Sequence, residues 1–461
     1  MYFFLPLCLF CYHIFQNIHY RNAVLIIFSL FFYAWGEPIW VSLLIFSALV
    51  DYLNGLIIHK YRGKIGAKLG LISSITINLG ILIAFKYTGF IYQNLNFLLG
   101  LNLPVPNITL PIGISFYTFQ TMSYSIDLYR NKVQVQKSFS KFLLFVSLFP
   151  QLVAGPIVRY QQIEQEIERR KVNGLFLVGG LHRFCVGLFK KVAIANVAGE
   201  LAKPYLEAVP YHLAVGEAWI GIILFSIQIY FDFSGYSDMA IGLGRMFGFT
   251  FPENFKYPYI STSATEFWRR WHISLGSFFR DYVYIPLGGN RKRRYFNLFV
   301  VWALTGLWHG ASWNFVLWGL YFGILIAIEQ LFLLKMLNKL PKFIGHLYLL
   351  LVAVIGWALF YFTDFSKLIA YLKVLLCISY SSFWKVELTY MLKENMFWFM
   401  LAIILCMPVY MWIKKWDSHF WQQKIRPYLL VPTFVFSIFL LWVSTSLLVG
   451  NSYNPFIYYR F

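Results

Sequence analysis

Charge is scarce in this 461-residue chain, acidic charge most of all: 19 Asp and Glu stand against 39 Lys and Arg, and charged types make up only 13%. Soluble domains carry about a quarter charged residues, so a water-soluble enzyme is excluded. A disordered chain, which must be poor in apolar residues, is excluded with it. Cysteine is rare too, five in all, which excludes a disulfide-rich secreted module. Cys8 and Cys11 form a C-x-x-C with His13 nearby. No second pair completes the four converging ligands of a zinc site, so no metal is expected. All five thiols lie in apolar blocks and are expected to be buried and inert.

Several sequence patterns are missing as well. No G-x-x-x-x-G-K-[ST] offers a phosphate cradle for ATP-driven transport. The run Gly235-Tyr236-Ser237-Asp238-Met239 approaches a nucleophile elbow but lacks its closing Gly. No internal repeat, low-complexity tract or domain linker interrupts the chain, so residues 1–461 read as a single membrane domain.

What is abundant is apolar surface: 59% hydrophobic types and 21% aromatics, with 48 Phe and 32 Tyr. This composition predicts an all-α, polytopic membrane protein. The net charge of +20 is spread between apolar blocks, so it reads as membrane orientation rather than nucleic-acid binding. Apolar blocks fall near 2–18, 22–36, 39–58, 69–85, 110–126, 142–157, 174–199, 213–247, 296–334, 347–363, 368–383, 396–413 and 428–449. With roughly 20 residues per crossing, they predict about ten to twelve spans plus re-entrant and interfacial pieces. The blocks are continuously apolar, which excludes the alternating pattern of a β-barrel. The first block reads as a retained span, since no basic residue precedes it and no small-residue cleavage site follows.

Loop charge sets the direction. Residues 1–20 and 88–126 carry no charged side chain, whereas 59–68 carry four basic ones and 127–141 hold Arg130, Lys132, Lys137 and Lys141. The 253–294 segment holds eight basic side chains against three acidic. The N-terminus is therefore expected outside and these three loops in the cytosol. Beyond residue 340 the basic residues Lys414, Lys415, Lys424 and Arg426 fit several span counts. The stretch 159–171 reads as a short amphipathic helix on the cytosolic surface.

In the 253–294 segment, Ser263-Ala-Thr-Glu266 is the signature of a capping box. At 100° per residue, Phe267, Trp271, Leu275, Phe278 and Tyr282 share one face, with Arg269 and Arg280 opposite. A basic amphipathic helix of this kind is expected to lie in the membrane interface. His272 falls at the margin of its apolar face, where it could point toward the protein body or be satisfied by a backbone carbonyl. After Pro286, Leu287-Gly-Gly-Asn-Arg-Lys-Arg-Arg294 is turn chemistry followed by four cations. That run suits topology anchoring, or attraction of an anionic cytosolic donor such as coenzyme A or an acyl-carrier protein.

From Tyr295 to Ile328 there is no charged side chain. As one helix this would measure about 51 Å, too long for a bilayer core of about 30 Å. The chain must bend or cross twice, and Gly306, Gly310 and Gly319 offer places to break or to pack closely. Within it sits Thr305-Gly-Leu-Trp-His309-Gly-Ala-Ser-Trp313-Asn314. His309 is about 22 Å along the helix from Arg294, deep in the hydrocarbon region. Ionisable groups at such depth face a cavity or a polar partner and mark functional sites by default. A neutral imidazole there can hold a ring nitrogen ready to take a proton. Asp232 and Asp238, six residues apart, read as structural hydrogen-bonding groups toward Ser, Tyr or backbone partners.

The stretches 110–130, 148–160, 230–249, 254–291 (NFKYPYISTSATEFWRRWHISLGSFFRDYVYIPLGGNR) and 306–323 (GLWHGASWNFVLWGLYFG), with the ending NPFIYYRF at 454–461, resemble the membrane-bound O-acyltransferase superfamily. The closest likeness is to its bacterial branch of alginate and peptidoglycan O-acetyltransferases. The D-alanyl transferases of teichoic acid synthesis resemble it in a W-H-x-S-L stretch and an intramembrane W-H-G. The resemblance implies a multi-pass protein of the bacterial inner membrane with a through-channel. In such a channel a cytosolic thioester donor, acetyl-CoA or an acyl carrier, meets a polysaccharide acceptor from the other side. It implies His309 as the essential histidine and His272 as the second, with no bound cofactor and no nucleic acid. No G-D-S esterase-like domain is visible, so a separate periplasmic partner protein is expected to complete the transfer. On this reading His309 acts as general base, and His272 orients the donor or stabilises developing negative charge. The rival readings are transfer of D-alanine or another acyl group, or a non-enzymatic glycan transporter with His309 as proton relay.

Overall fold

In a bilayer every backbone N–H and C=O must be satisfied internally, so long apolar runs can only become helices. A computed structural model describes residues 2–152, 155–409, 430–449 and 456, and every regular element among them is helical. The described residues form two compact units, Met1–Phe184 with Met239–Pro252, and Cys185–Asp238 with Glu253–Phe461.

The first unit contains α1 (Phe4–Ile14), α2 (Ile18–Gly36), α3 (Val41–Lys60) and α4 (Ile65–Leu82). A π turn (Ile83–Tyr87) carries α4 into α5 (Thr88–Leu99). Then come α6 (Ile114–Tyr129), α7 (Phe139–Ser147), α8 (Phe149–Leu152), α9 (Tyr160–Glu168) and most of α10 (Gly174–Phe189). α3, α4 and α6 converge on the fully buried Asp51, which accepts hydrogen bonds from Ser74 Oγ, from Asn78 Nδ2 at 2.6 Å and from Ser125 Oγ at 2.9 Å. Three donors satisfy a carboxylate that would otherwise be very costly at this depth. α9 is amphipathic as its sequence predicts, burying Tyr160, Ile163 and Ile167.

The second unit begins at the end of α10 and runs through a π turn (Lys190–Asn196) into α11 (Val197–Leu206) and α12 (Val215–Met246) as far as Asp238. It continues with α13 (Ala264–Arg270), α14 (Ile273–Phe279), α15 (Arg294–His309), α16 (Trp313–Ile328), α17 (Leu334–Leu337), α18 (Lys342–Tyr361), α19 (Phe365–Leu375), α20 (Val386–Glu394), α21 (Met396–Cys406) and α22 (Leu430–Val449). Its core is aromatic: Phe267, Trp271, Trp302, Trp318, Phe322, Trp357 and Phe360 are all buried in one cluster.

Four expectations meet the structure here. First, the all-α, multi-pass class stands: among the described residues seven helices are long and apolar enough to cross a membrane, or eight if α20 and α21, bent by 68°, form one span. Other apolar blocks form shorter helices or stay inside the protein. α6, for example, buries all but Ile126 and Tyr129 despite its Ser and Thr content. Second, Asp232 and Asp238 have lysine partners beyond the Ser, Tyr and backbone groups expected. Asp232 pairs with Lys191, and Asp238 with Lys190 at 2.6 Å, both lysines coming from the π turn. Third, the five thiols are free, but Cys377 is exposed rather than buried. Fourth, no single amphipathic helix spans 264–282. The chain breaks at His272, whose φ of 43° is left-handed. Phe267, Trp271, Leu275 and Phe278 are buried in the protein, not laid on a lipid surface, because the break turns both short helices inward. Lys414, Lys415, Lys424 and Arg426, and all of 454–461 except Phe456, lie outside the described residues.

Candidate active site

The long uncharged block resolves into a hairpin. α15 ends at His309, the chain turns through Gly310 to Ser312, and α16 returns. Two glycines allow the helices to touch. A Cβ on Gly306 would sit 2.3 Å from the Phe315 carbonyl oxygen, and one on Gly319 would sit 2.3 Å from that of Trp302. Backbone contact at this range holds the end of α15 rigidly, and with it His309.

The His309 imidazole is buried at 8% exposure. Its Nδ1 lies 2.8 Å from the carbonyl oxygen of Thr305, one turn earlier. A carbonyl can only accept, so Nδ1 carries a proton, and in the neutral ring Nε2 keeps its lone pair. The ring packs against Trp308 at 4.9 Å, Trp318 at 4.7 Å and Phe360 at 5.7 Å between centroids.

His272 is positioned by Asn254. The Asn254 Oδ1 accepts from the Ser274 backbone N–H at 3.1 Å and from Ser274 Oγ at 2.9 Å, and lies 3.1 Å from His272 Nδ1. The backbone donor identifies that atom as oxygen, so His272 Nδ1 must also donate. The Ile273 N–H donates to the Asn254 carbonyl at 2.9 Å, which pins the left-handed turn. A non-glycine residue in that region costs about 1–2 kcal/mol, and such strain gathers at functional sites. His272 is 1% exposed, and its Nε2 is buried with no hydrogen-bond partner among the described residues. Burial first, then the nearby His309, holds its pKa well below the ordinary imidazole range. The ring is therefore neutral, with a bare acceptor at Nε2. A neutral ring with no proton on Nε2 can accept a hydrogen bond there but cannot donate one.

Trp308 joins the two histidines, its ring 5.8 Å from His272 and 4.9 Å from His309. The two residues that the sequence nominates thus share one aromatic-walled site. Three other buried polar atoms nearby have no hydrogen-bond partner among the described residues: Trp268 Nε1, Trp318 Nε1 and Asn314 Oδ1.

Sequence reasoning missed the residues that hold this site in place. Glu329, fully buried at the end of α16, caps the start of α13. Its carboxylate accepts from Ala264 N at 2.6 Å, Thr265 N at 2.8 Å, Thr265 Oγ1 at 2.6 Å and Tyr348 OH at 3.0 Å. An anion at a helix N-terminus is stabilised by the exposed N–H groups and the dipole. Ser263 supplies only half of the predicted capping box, accepting from Glu266 N at 3.1 Å, while Glu266 Oε2 turns to Thr262 N. A signal for Glu329 existed: it is the sole acidic residue between Asp281 and Asp364. In the 287–294 run, Asn297 Nδ2 donates to the carbonyls of Gly289 and Lys292, tying the turn to α15.

A multi-pass helical protein with two histidines in a buried aromatic site has the parts of an intramembrane group-transfer enzyme. Residues 123–372, which include both histidines, match the membrane-bound O-acyltransferase family. The chain is 40% identical to the probable alginate O-acetylase AlgI of Pseudomonas aeruginosa over 78% of its own length and 70% of that protein's. It is 35% identical to the peptidoglycan O-acetyltransferase of Helicobacter pylori over 77% and 75%. Similarity to the teichoic acid D-alanyltransferase of Bacillus subtilis is 28%, over 50% of this chain and 61% of the other. The chain belongs to the membrane-bound O-acyltransferase family. It is a multi-pass membrane acyltransferase.

Proposed function

We propose that the protein moves an acetyl group from a cytosolic thioester, acetyl-CoA or an acyl-carrier protein, toward O-acetylation of a polysaccharide outside the bacterial inner membrane. The relatives named for alginate and peptidoglycan acetylation support the acyl group and the acceptor class. The observation that carries the chemistry is the tautomer of His309: Nδ1–H is committed to the Thr305 carbonyl, so Nε2 is the base. It takes the proton of an acceptor hydroxyl as that oxygen attacks the thioester carbonyl, then passes it to the departing thiolate. The acceptor hydroxyl belongs to a sugar or to a serine of a periplasmic, esterase-like partner protein. His272 holds a substrate donor group at its Nε2 lone pair. The aromatic walls keep water from the thioester.

The test is purified protein in liposomes, given labelled acetyl-CoA, acetylated carrier protein or D-alanylated carrier protein, with a glycan acceptor present. Label from an acetyl donor on the acceptor or its partner protein supports the reading. Label accepted only from D-alanine moves the protein to the teichoic acid type. Movement of unmodified glycan with no donor present makes it a transporter.

A further inference from the structure

An acyl transfer needs a base for the incoming hydroxyl and also hydrogen-bond donors for the carbonyl oxygen as it gains charge. Neither histidine offers a donor in its neutral form. Both rings spend their N–H on protein acceptors, His272 on Asn254 and His309 on Thr305. The donors must come from elsewhere, and two lie in the same wall. Trp318 is 1% exposed, and its ring stands 4.7 Å from that of His309. Trp268 packs edge-on against Trp318 at 5.4 Å and 79°. The Nε1 atoms of both are buried and have no hydrogen-bond partner among the described residues.

Several other indoles of the same unit do find an acceptor. Trp357 Nε1 donates to Tyr259 OH, Trp219 Nε1 to the Leu375 carbonyl and Trp398 Nε1 to the Ala193 carbonyl. A buried N–H without an acceptor is costly, and an indole N–H can only donate. What would satisfy these N–H groups is an acceptor oxygen carried by a guest.

We propose that the indole N–H groups of Trp318 and Trp268 form the oxyanion site of this enzyme, receiving the thioester carbonyl oxygen beside His309. The proposal rests on the acyl-transfer reading above. As the acceptor oxygen bonds to the carbonyl carbon, the C=O π pair moves onto the carbonyl oxygen between the two N–H groups, and the hydroxyl proton moves to His309 Nε2. Collapse re-forms C=O and breaks the C–S bond, and the thiolate leaves with the proton from His309. Electrons and protons balance with no further reactant. His272 Nε2, a lone pair, would repel the oxyanion and is better matched to an N–H or O–H of the substrate.

The test removes the donor and keeps the ring. Full-length protein is made with 3-benzothienylalanine, in which sulfur replaces the indole N–H, at position 318 and separately at 268. Transfer is measured in liposomes with whichever acyl donor supports the wild-type reaction. The expected result is a fall in kcat of about 10²-fold or more at one or both positions, with KM for the donor and thermal stability unchanged. Unchanged kcat in both variants overturns the proposal. A fall in kcat that tracks a loss of thermal stability also overturns it, because the N–H is then structural. His309→Ala in the same assay separates the two readings: loss of transfer there beside full activity in both benzothienyl variants sinks the oxyanion site and leaves the base in place. Full activity in all three variants removes both.

Discussion

Gly319→Ala is the substitution whose effect follows most directly from geometry. Its new Cβ would lie 2.3 Å from the Trp302 backbone oxygen and 3.0 Å from Gly306 Cα, whereas ordinary contact begins near 3.4 Å. The obstructing atoms are backbone, so no side chain can swing away, and α15 and α16 must part by about 1 Å at the crossing. Overpacking of this kind costs about 1–3 kcal/mol. The larger effect falls on chemistry, because His309 ends α15 and Trp318 precedes the glycine on α16. A misplacement of about 1 Å between reacting groups can lower a rate ~10²-fold. The measurements are acyl-transfer rate in liposomes and thermal unfolding, with Gly80→Ala on α4 as the control. Gly80 has nothing within 4 Å of its would-be Cβ, so that variant should keep full activity and equal or higher stability. Wild-type rate and stability in Gly319→Ala would refute the claim that the tight hairpin positions the site.

Three further outcomes are expected. Glu329→Gln replaces a four-fold acceptor at the start of α13 with an amide that must turn N–H toward backbone N–H. It should lose about 1–3 kcal/mol and lower kcat, with an unchanged unfolding temperature counting against the capping role. Lys191→Met removes the cationic partner of the buried Asp232 and should destabilise by about 3–5 kcal/mol, while the double change with Asp232→Leu should recover most of that loss; equal damage in both variants would contradict the pairing. His272 has its folded pKa depressed by burial, so protons favour the unfolded chain. Its contribution is complete above the unfolded value of about 6.5 and is lost as pH falls from there toward the folded value. Thermal unfolding should show this slope in wild type and a shallower one in His272→Asn, and identical slopes would remove the assignment.

Periodicity and depth carry much of this fold. An uncharged run too long for one crossing had to break, and it breaks at the Gly310 turn, leaving His309 at the end of a helix that begins at Arg294. The same reasoning failed where it assumed an unbroken helix. The wheel drawn over 264–282 put Phe267, Trp271, Leu275 and Phe278 on a lipid surface, but the left-handed residue at 272 sends them into the core. Nothing local announces that turn, since it is held by Asn254, 18 residues away in sequence. Glu329 is equally remote, 65 residues from the Ala264 N–H it accepts. Lys190 and Lys191 sit inside the apolar block 174–199, where they neutralise two buried aspartates. Local pattern reports which residues are apolar and how far they run. It does not report which distant polar group closes a buried hydrogen bond.

The central claim is that His309 takes the acceptor's proton within the membrane. Its most direct measurement is single-turnover acyl transfer by His309→Ala, inserted in liposomes at wild-type levels and with wild-type thermal stability. Loss of a general base predicts a fall of about 10²–10⁴-fold, with donor binding retained. Transfer at the wild-type rate by that variant would contradict the account.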